Sequence, residues 1–300
     1  MTAPVRHDYL HADHDRNAAR TRWVVALTAA MMVAEIVAGY ATGSMALLAD
    51  GFHMATHAGA LGVAALAYSY ARRHCDDPRF SFGTGKVGDL AGFASALILA
   101  LFAIGIAAES MKRLFAPEMV DFADATLVAV IGLAVNLVSA WLLFDKHHHH
   151  GHGNNDDHHH HHDNNLRAAY LHVLADALTS VLAIAALLAG RYLGWVWLDP
   201  LIGVVGAVVI ARWSWGLMKD TAGVLLDTTD AAAADKVRAL VEPYAHILDL
   251  HVWRLGPGAL AVIVDLAEPE AVASARERLR ALKGVVHLTV QARASEASGP

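Results

Sequence analysis

Residues 45–70 read MALLADGFHMATHAGALGVAALAYSY, and this stretch decides how the rest of the chain is read. A helix needs roughly 20 mostly apolar residues to cross the ~30 Å hydrocarbon core of a bilayer, and this segment is long enough. It nevertheless carries three ionisable side chains, Asp50, His53 and His57. At membrane depth each such group costs on the order of 2.5–3.5 kcal/mol on insertion scales, so those retained there are functional candidates. At about 100° per residue, Asp50 lies about 60° to one side of His53 and His57 about 40° to the other, so all three share one helix face.

Working outward, five more segments reach spanning length, approximately Trp23–Tyr40, Val87–Met111, Ala123–Phe144, Ala168–Ala189 and Trp195–Leu217. The chain has 300 residues, 56% hydrophobic and only 17% charged, with a mean hydropathy of +0.38. That balance belongs to a membrane protein rather than a single soluble domain. The expected fold is an all-α bundle of six transmembrane helices over residues 21–218, after a cytoplasmic tail at 1–20. The first apolar run continues at full spanning length, so the N-terminus reads as a retained helix and not as a cleaved signal. Cys75 is the sole cysteine, which excludes an intrachain disulfide framework.

With the N-terminus inside, Arg6, Arg16, Arg20, Arg22, Arg72, Arg73, Arg79, Lys86, Lys146 and Arg167 face the cytoplasm, whereas Lys112, Arg113 and Arg191 lie outside. This imbalance places both termini in the cytoplasm by the positive-inside rule. In a bacterial cell the chain would sit in the inner membrane. The formal charge of -6 and the scattered basic residues argue against nucleic acid as a partner.

Residues 219–292 read as a small α+β cytoplasmic domain. A helix capped by Thr229 or Asp230 runs toward Pro243, two strands flank Gly256-Pro257-Gly258, Pro269 opens a second helix, and Val285–Ala292 forms a last strand. The order is αββαβ. Residues 293–300, of Ala, Arg, Ser, Glu, Gly and Pro, predict a disordered tail.

The fifth span repeats the pattern of the second, because His172 and Asp176 are again four residues apart on one face. Two such pairs supply the four nitrogen and oxygen donors that suit a small divalent transition metal, so His53, His57, His172 and Asp176 form the expected site. The competing account is polar helix packing through interhelical hydrogen bonds. Asp50 is either a further ligand or an outer carboxylate that orients a ligand histidine. Glu35 and Asn136 either line a pathway or bond between helices.

The cytoplasmic loop 145–165 carries His147, His148, His149, His150, His152, His158, His159, His160, His161 and His162 among Asn, Asp and Gly. With almost no apolar side chain to build a core it reads as a disordered, metal-collecting tract, with an inert linker as the alternative. His246, His251 and His287 are further candidate ligands in the soluble domain, although a lone strand histidine is more often a packed or surface residue. A general base beside an open metal position is missing from the second span, since Met54-Ala55-Thr56 separates its histidines. The chain is therefore expected not to be an enzyme, and its metal is cargo rather than cofactor. A membrane-bound metal sensor or storage protein is the rival class, but it has no need of ligands at bilayer depth.

Gly43-Ser44-Met45-Ala46-Leu47-Leu48-Ala49-Asp50, Ser81-Phe82-Gly83-Thr84-Gly85-Lys86, the His172–Asp176 pair and Asp249-Leu250-His251-Val252-Trp253 together resemble the cation diffusion facilitator family over nearly the whole chain. The resemblance implies a homodimer in the lipid bilayer, a ferredoxin-like cytoplasmic domain, and exchange of a divalent metal for protons by alternating access. It also implies an ion pair between Lys86 and Asp227 that couples the spans to the cytoplasmic domain. Zinc-type members mostly have His and Asp in the second-span pair. The His53 and His57 pair and the histidine-rich loop are instead similar to the cobalt and nickel efflux (DmeF-type) subgroup. Efflux of cobalt or nickel is the resulting expectation, with zinc or cadmium export as its alternative.

Overall fold

The computed structural model of the protein describes residues 12–75, 77–144 and 159–293. Six long helices come first: α1 (Ala12–Thr42), α2 (Met45–Arg73), α3 (Val87–Phe115), α4 (Phe122–Phe144), α5 (His159–Leu193) and α6 (Leu198–Leu225). A small domain follows, made of α7 (Ala231–Val241), β1 (Ile247–Gly256), β2 (Ala259–Leu266), α8 (Val272–Arg280) and β3 (Val285–Ala292). The αββαβ order read from the sequence is present.

Among the described residues, four helices are long and apolar enough to cross a membrane: Val87–Phe115, Phe122–Ser139, Asp176–Leu193 and Leu198–Leu225. The described apolar part of α1, Ala26–Thr42, is shorter. The 29-residue α2 has the length, but Asp50, His53 and His57 make its first half more polar. The six expected spans are thus six long helices, of which four qualify on length and composition. α3 turns Leu97, Ile98, Leu101 and Ile104 outward, as suits a lipid-facing surface without unsatisfied backbone groups.

Several boundaries differ from the sequence reading. α1 begins at Ala12, inside the expected tail, and α5 begins at His159, so His159–His162 have helical backbone where a loop was expected. Helical hydrogen bonds run along the backbone and do not require an apolar face, so polar residues can extend a helix beyond its buried part. His147–His150, His152 and His158, with the tail beyond Arg293, lie outside the described residues.

The chain forms two compact units, one taking the residues up to Ala60 with Ile98–Trp213, the other Leu61–Leu97 with Ser214 onward. In the first unit Met45, Leu48, Ala49 and Phe52 of α2 pack against Ala103 and Ile106 of α3 and Ala207 and Ile210 of α6. Small residues set the spacing: a Cβ on Gly206 would come within 2.6 Å of the Ala49 Cβ. In the second unit β1 pairs antiparallel with β2, and β2 pairs in parallel with β3. The α8 crossover makes the parallel pairing possible. Val237 and Val241 of α7 and Leu279 of α8 close the core over Val252, Val262, Val264 and Val290.

Asp230 is the N-cap of α7, accepting from the Ala233 N–H at 3.0 Å. Its second oxygen accepts from Arg254 Nε at 2.8 Å. The Ala233 amide and then the Arg254 guanidinium hold its carboxyl below the usual carboxylate range. The folded form therefore binds fewer protons here than the unfolded chain, so this stabilisation is present at neutral pH and is lost as pH falls through the lowered folded value. Asp230→Ala should weaken α7 by about 1 kcal/mol, read as faster amide exchange across Ala231–Val241 at pH 7. The difference from the parent protein should shrink in acid.

Candidate metal centre

Two carboxylates fix α2 in the first unit. Asp199, in the first turn of α6, sends its side chain to the start of α2. Its Oδ1 accepts from the Ser44 hydroxyl at 2.6 Å and from the Ala46 N–H at 3.2 Å, and its Oδ2 accepts from the Met45 N–H at 2.8 Å. One helix thus caps another, with a carboxylate at the positive end of the α2 dipole. One and a half turns along α2, Asp50 accepts from the Ser180 hydroxyl of α5 at 2.7 Å and from Thr179 at 3.4 Å.

These ties bring the faces of α2 and α5 together. His53 Nε2 lies 3.8 Å from Asp176 Oδ1, with both side chains largely buried. The Trp213 ring of α6 meets the His53 imidazole edge-on, with centroids 6.3 Å apart. A narrow cavity beside the pair is lined by Asp50, His53, Thr179, Ile202 and Gly206. An imidazole nitrogen and a carboxylate oxygen at this separation can be bridged by one ion, since metal–ligand bonds of about 2 Å on each side span it. The backbones of His57 and His172 lie one turn from His53 and Asp176 along α2 and α5. Their side chains lie outside the described residues, so two of the four expected donors are seen face to face.

Asp50 is engaged by two α5 hydroxyls. Sequence reasoning did not single out Thr179, Ser180, Trp213 or Asp199. The first two lie three and four residues beyond Asp176, on the next turn of the ligand face, and that spacing was a usable signal. Asp199 precedes Pro200 at a helix start and reads locally as an ordinary cap of its own helix.

Among the described residues no three His, Cys, Asp or Glu side chains gather into a metal-binding group. In the C-terminal domain His251 Nε2 lies 3.1 Å from Asp249 Oδ2 on one face of β1. His246 uses its backbone N–H to reach Glu268 Oε2 at 2.8 Å, and the His287 ring meets Phe82 edge-on at 5.4 Å. These three histidines are dispersed.

Lys86 forms an ion pair with Asp227 in the second unit. Asp227 has φ 55°, a left-handed conformation that favours glycine. It occupies the residue after the α6 C-cap, where the Asp227 N–H bonds the Val224 carbonyl at 3.3 Å and the Thr228 N–H bonds the Gly223 carbonyl at 3.0 Å. That pair of bonds is a Schellman termination, at a position where glycine is the unstrained choice. Aspartate is one of the few non-glycine residues that adopt this conformation, and its charge is met here by Lys86. The adjoining loop is anchored too, because a Cβ on Gly256 would come within 2.9 Å of the Gly85 Cα and Phe82 meets the Trp253 ring edge-on.

Residues 22–226 match the family model of the cation efflux transmembrane domain. The chain is 35% identical over 255 residues to the zinc transporter ZitB of Pectobacterium atrosepticum, covering 83% of this chain and 75% of that protein. It is 30% identical over 294 residues to a cadmium, cobalt and zinc/H(+)-K(+) antiporter of Bacillus subtilis, covering 93% and 91%. It is 33% identical over 279 residues to the cation efflux system protein CzcD of Alcaligenes sp., covering 89% and 84%.

The geometry at Asp227 separates charge from conformation. Asp227→Gly should leave thermal stability equal or slightly higher, because it relieves the left-handed strain and an exposed ion pair contributes only about 0–1 kcal/mol. Metal movement in vesicles should nevertheless fall, and Lys86→Ala should show the same loss.

Proposed function

Because the chain belongs to the cation efflux family, we propose that it exports a divalent transition metal from the cytoplasm in exchange for protons, through a site made of His53, His57, His172 and Asp176. The observation that carries this reading is the approach of the His53 imidazole to the Asp176 carboxylate, two metal-ligand types from separate spans, at 3.8 Å inside the bundle. Burying either group alone would leave an uncompensated polar group in an apolar medium. An ion between them relieves both.

Six spans with both termini in the cytoplasm, and assembly as a homodimer, complete the proposal. Asp50 then serves from outside the ligand set, holding α5 against α2 through Ser180 and Thr179. Three imidazoles and one carboxylate serve cobalt, nickel and zinc alike, and the affinity order does not fix which ion a cell exports. The relatives above are described as carrying zinc, cadmium and cobalt, so the zinc and cadmium reading fits at least as well as the cobalt and nickel one. Cobalt is named for the antiporter relative as well.

Metal entry requires free imidazole lone pairs and an ionised Asp176, so binding displaces the protons those groups hold. Imidazole exchanges protons near cellular pH. An outer face more acidic than the cytoplasm therefore protonates the outward-open site, expels the metal and returns protons inward as the site reopens to the cytoplasm, which makes the direction export.

Purified protein in vesicles, compared across cobalt, nickel, zinc, cadmium and manganese, should move metal against an opposing proton flux seen with an internal pH indicator. His53→Ala, His57→Ala, His172→Ala and Asp176→Ala should each abolish that movement in folded protein, and normal transport by any two of them would defeat the four-ligand assignment. Deleting residues 151–162 should change apparent affinity or rate while transport persists. Inactivity equal to that of Asp176→Ala would instead place the tract in the path itself.

A further inference from the structure

The buried carboxyl of Glu35, in α1, is not one of the proposed metal ligands. Glu35 is 1% exposed, and neither carboxylate oxygen has a hydrogen-bond partner among the described residues. The packing around it is made to admit the group: a Cβ on Gly132 of α4 would overlap the Glu35 Oε1, and a Cβ on Gly51 of α2 would come within 3.2 Å of the Glu35 Cβ. The carboxyl thus fills the space that a side chain at position 132 would take. Among the described residues no interhelical hydrogen bond, the ordinary reason for a polar residue in a span, accounts for it.

A row of polar groups leads to this carboxyl along α1 and α4. Thr28 and Glu35 are seven residues apart on α1, and Gly132, Asn136 and Ser139 follow at four- and seven-residue spacing on α4, so each set shares one helix face. The Thr28 hydroxyl meets that of Ser139 at 3.5 Å, two turns from where Glu35 meets Gly132, which makes the two helices antiparallel. Asn136 lies between those levels. Its Nδ2 contacts Met54 Sδ at 3.3 Å, while its buried Oδ1 has no partner among the described residues. In the proposed orientation the Thr28 and Ser139 end of the row faces the cytoplasm.

We infer that Glu35 is a proton-binding site separate from the metal site, reached from the cytoplasmic side along Thr28, Ser139 and Asn136, and loaded and unloaded once in each transport cycle. The chemistry selects the ligand. A metal ion needs several donors, and among the described residues neither Glu35 oxygen has even one hydrogen-bonding partner beside it. A proton needs one acceptor and no cavity. As a carboxylic acid Glu35 is neutral and tolerates apolar surroundings, whereas as a carboxylate it would be an unpaired charge there. The titratable group from a neighbouring helix that acts on it is Asp50 of α2, itself held by Ser180 and Thr179. In α4 the only titratable residue is Asp124, at the far end. Glu35 exchanges its proton when the helices around it rearrange between inward and outward states.

The inference rests on the antiport reading, and the experiment separates the two. Full-length protein in vesicles, with cobalt flux and internal pH followed together, gives protons moved per metal ion. Glu35→Gln should lower that ratio by about one proton while the visible spectrum of bound cobalt is kept, and Glu35→Asp should restore it. An unchanged ratio in Glu35→Gln overturns the inference. An independent arm uses a hydrophobic carbodiimide, which reacts with carboxylic acids in apolar surroundings. Parent protein treated in vesicles should be modified at Glu35, by peptide mass, with less modification as pH rises. Modification absent at every pH overturns the inference even if Glu35→Gln fails to insert. Cobalt movement with no proton flux in the parent protein would defeat the antiport reading instead, and the carbodiimide arm would still report on Glu35.

Discussion

The register of α2 depends on a carboxylate that belongs to another helix. Asp199 of α6 accepts the Met45 and Ala46 amides and the Ser44 hydroxyl, which fixes where α2 begins and how it is rotated. An ionised acceptor at a helix N-terminus makes strong hydrogen bonds, and the first-turn amides have no intrahelical partners of their own. With the start of α2 set, Asp50 meets the hydroxyls of α5 and His53 faces Asp176. A small rotation of α2 would lose both.

The ionisable groups within the first unit divide by what surrounds them. Asp199 and Asp50 are satisfied by amides and hydroxyls, so they act as ties between helices. His53 and Asp176 face each other across a gap suited to an ion. Glu35 has packing but, among the described residues, no hydrogen-bond partner. In an apolar medium the available remedies for an ionisable group are hydrogen bonds, a bound cation or neutralisation by a proton.

In the second unit, conformation and charge are set against each other at Asp227. Its left-handed φ and Schellman geometry favour glycine, while its side chain pairs with Lys86 at the start of α3. The pair adjoins a loop already pinned by the close approach of Gly85 to Gly256 and by Phe82 against Trp253. An exposed ion pair adds little stability.

Periodicity made much of this legible in the chain itself. His53 with His57 and His172 with Asp176 share faces because four residues make about one helical turn, and Asp230 caps α7 because a carboxylate three residues before an amide can reach it. The hairpin at Gly256-Pro257-Gly258 and the αββαβ order follow from equally local patterns. What the sequence could not supply was the identity of partners across helices. Ser44 and Asp199 are separated by 155 residues, and Asp50 and Ser180 by 130. A local reading therefore makes Asp199 a cap of α6, leaves Asp50 as either a further ligand or an orienter of histidine, and leaves Glu35 as either a pathway residue or an interhelical hydrogen-bonding one. Only the packing of helices, through contacts such as Gly206 on Ala49 and Gly132 under Glu35, decides which polar group finds a donor and which is left without one. The distance between two side chains on different helices is set by the whole bundle and is encoded in no single stretch of the chain.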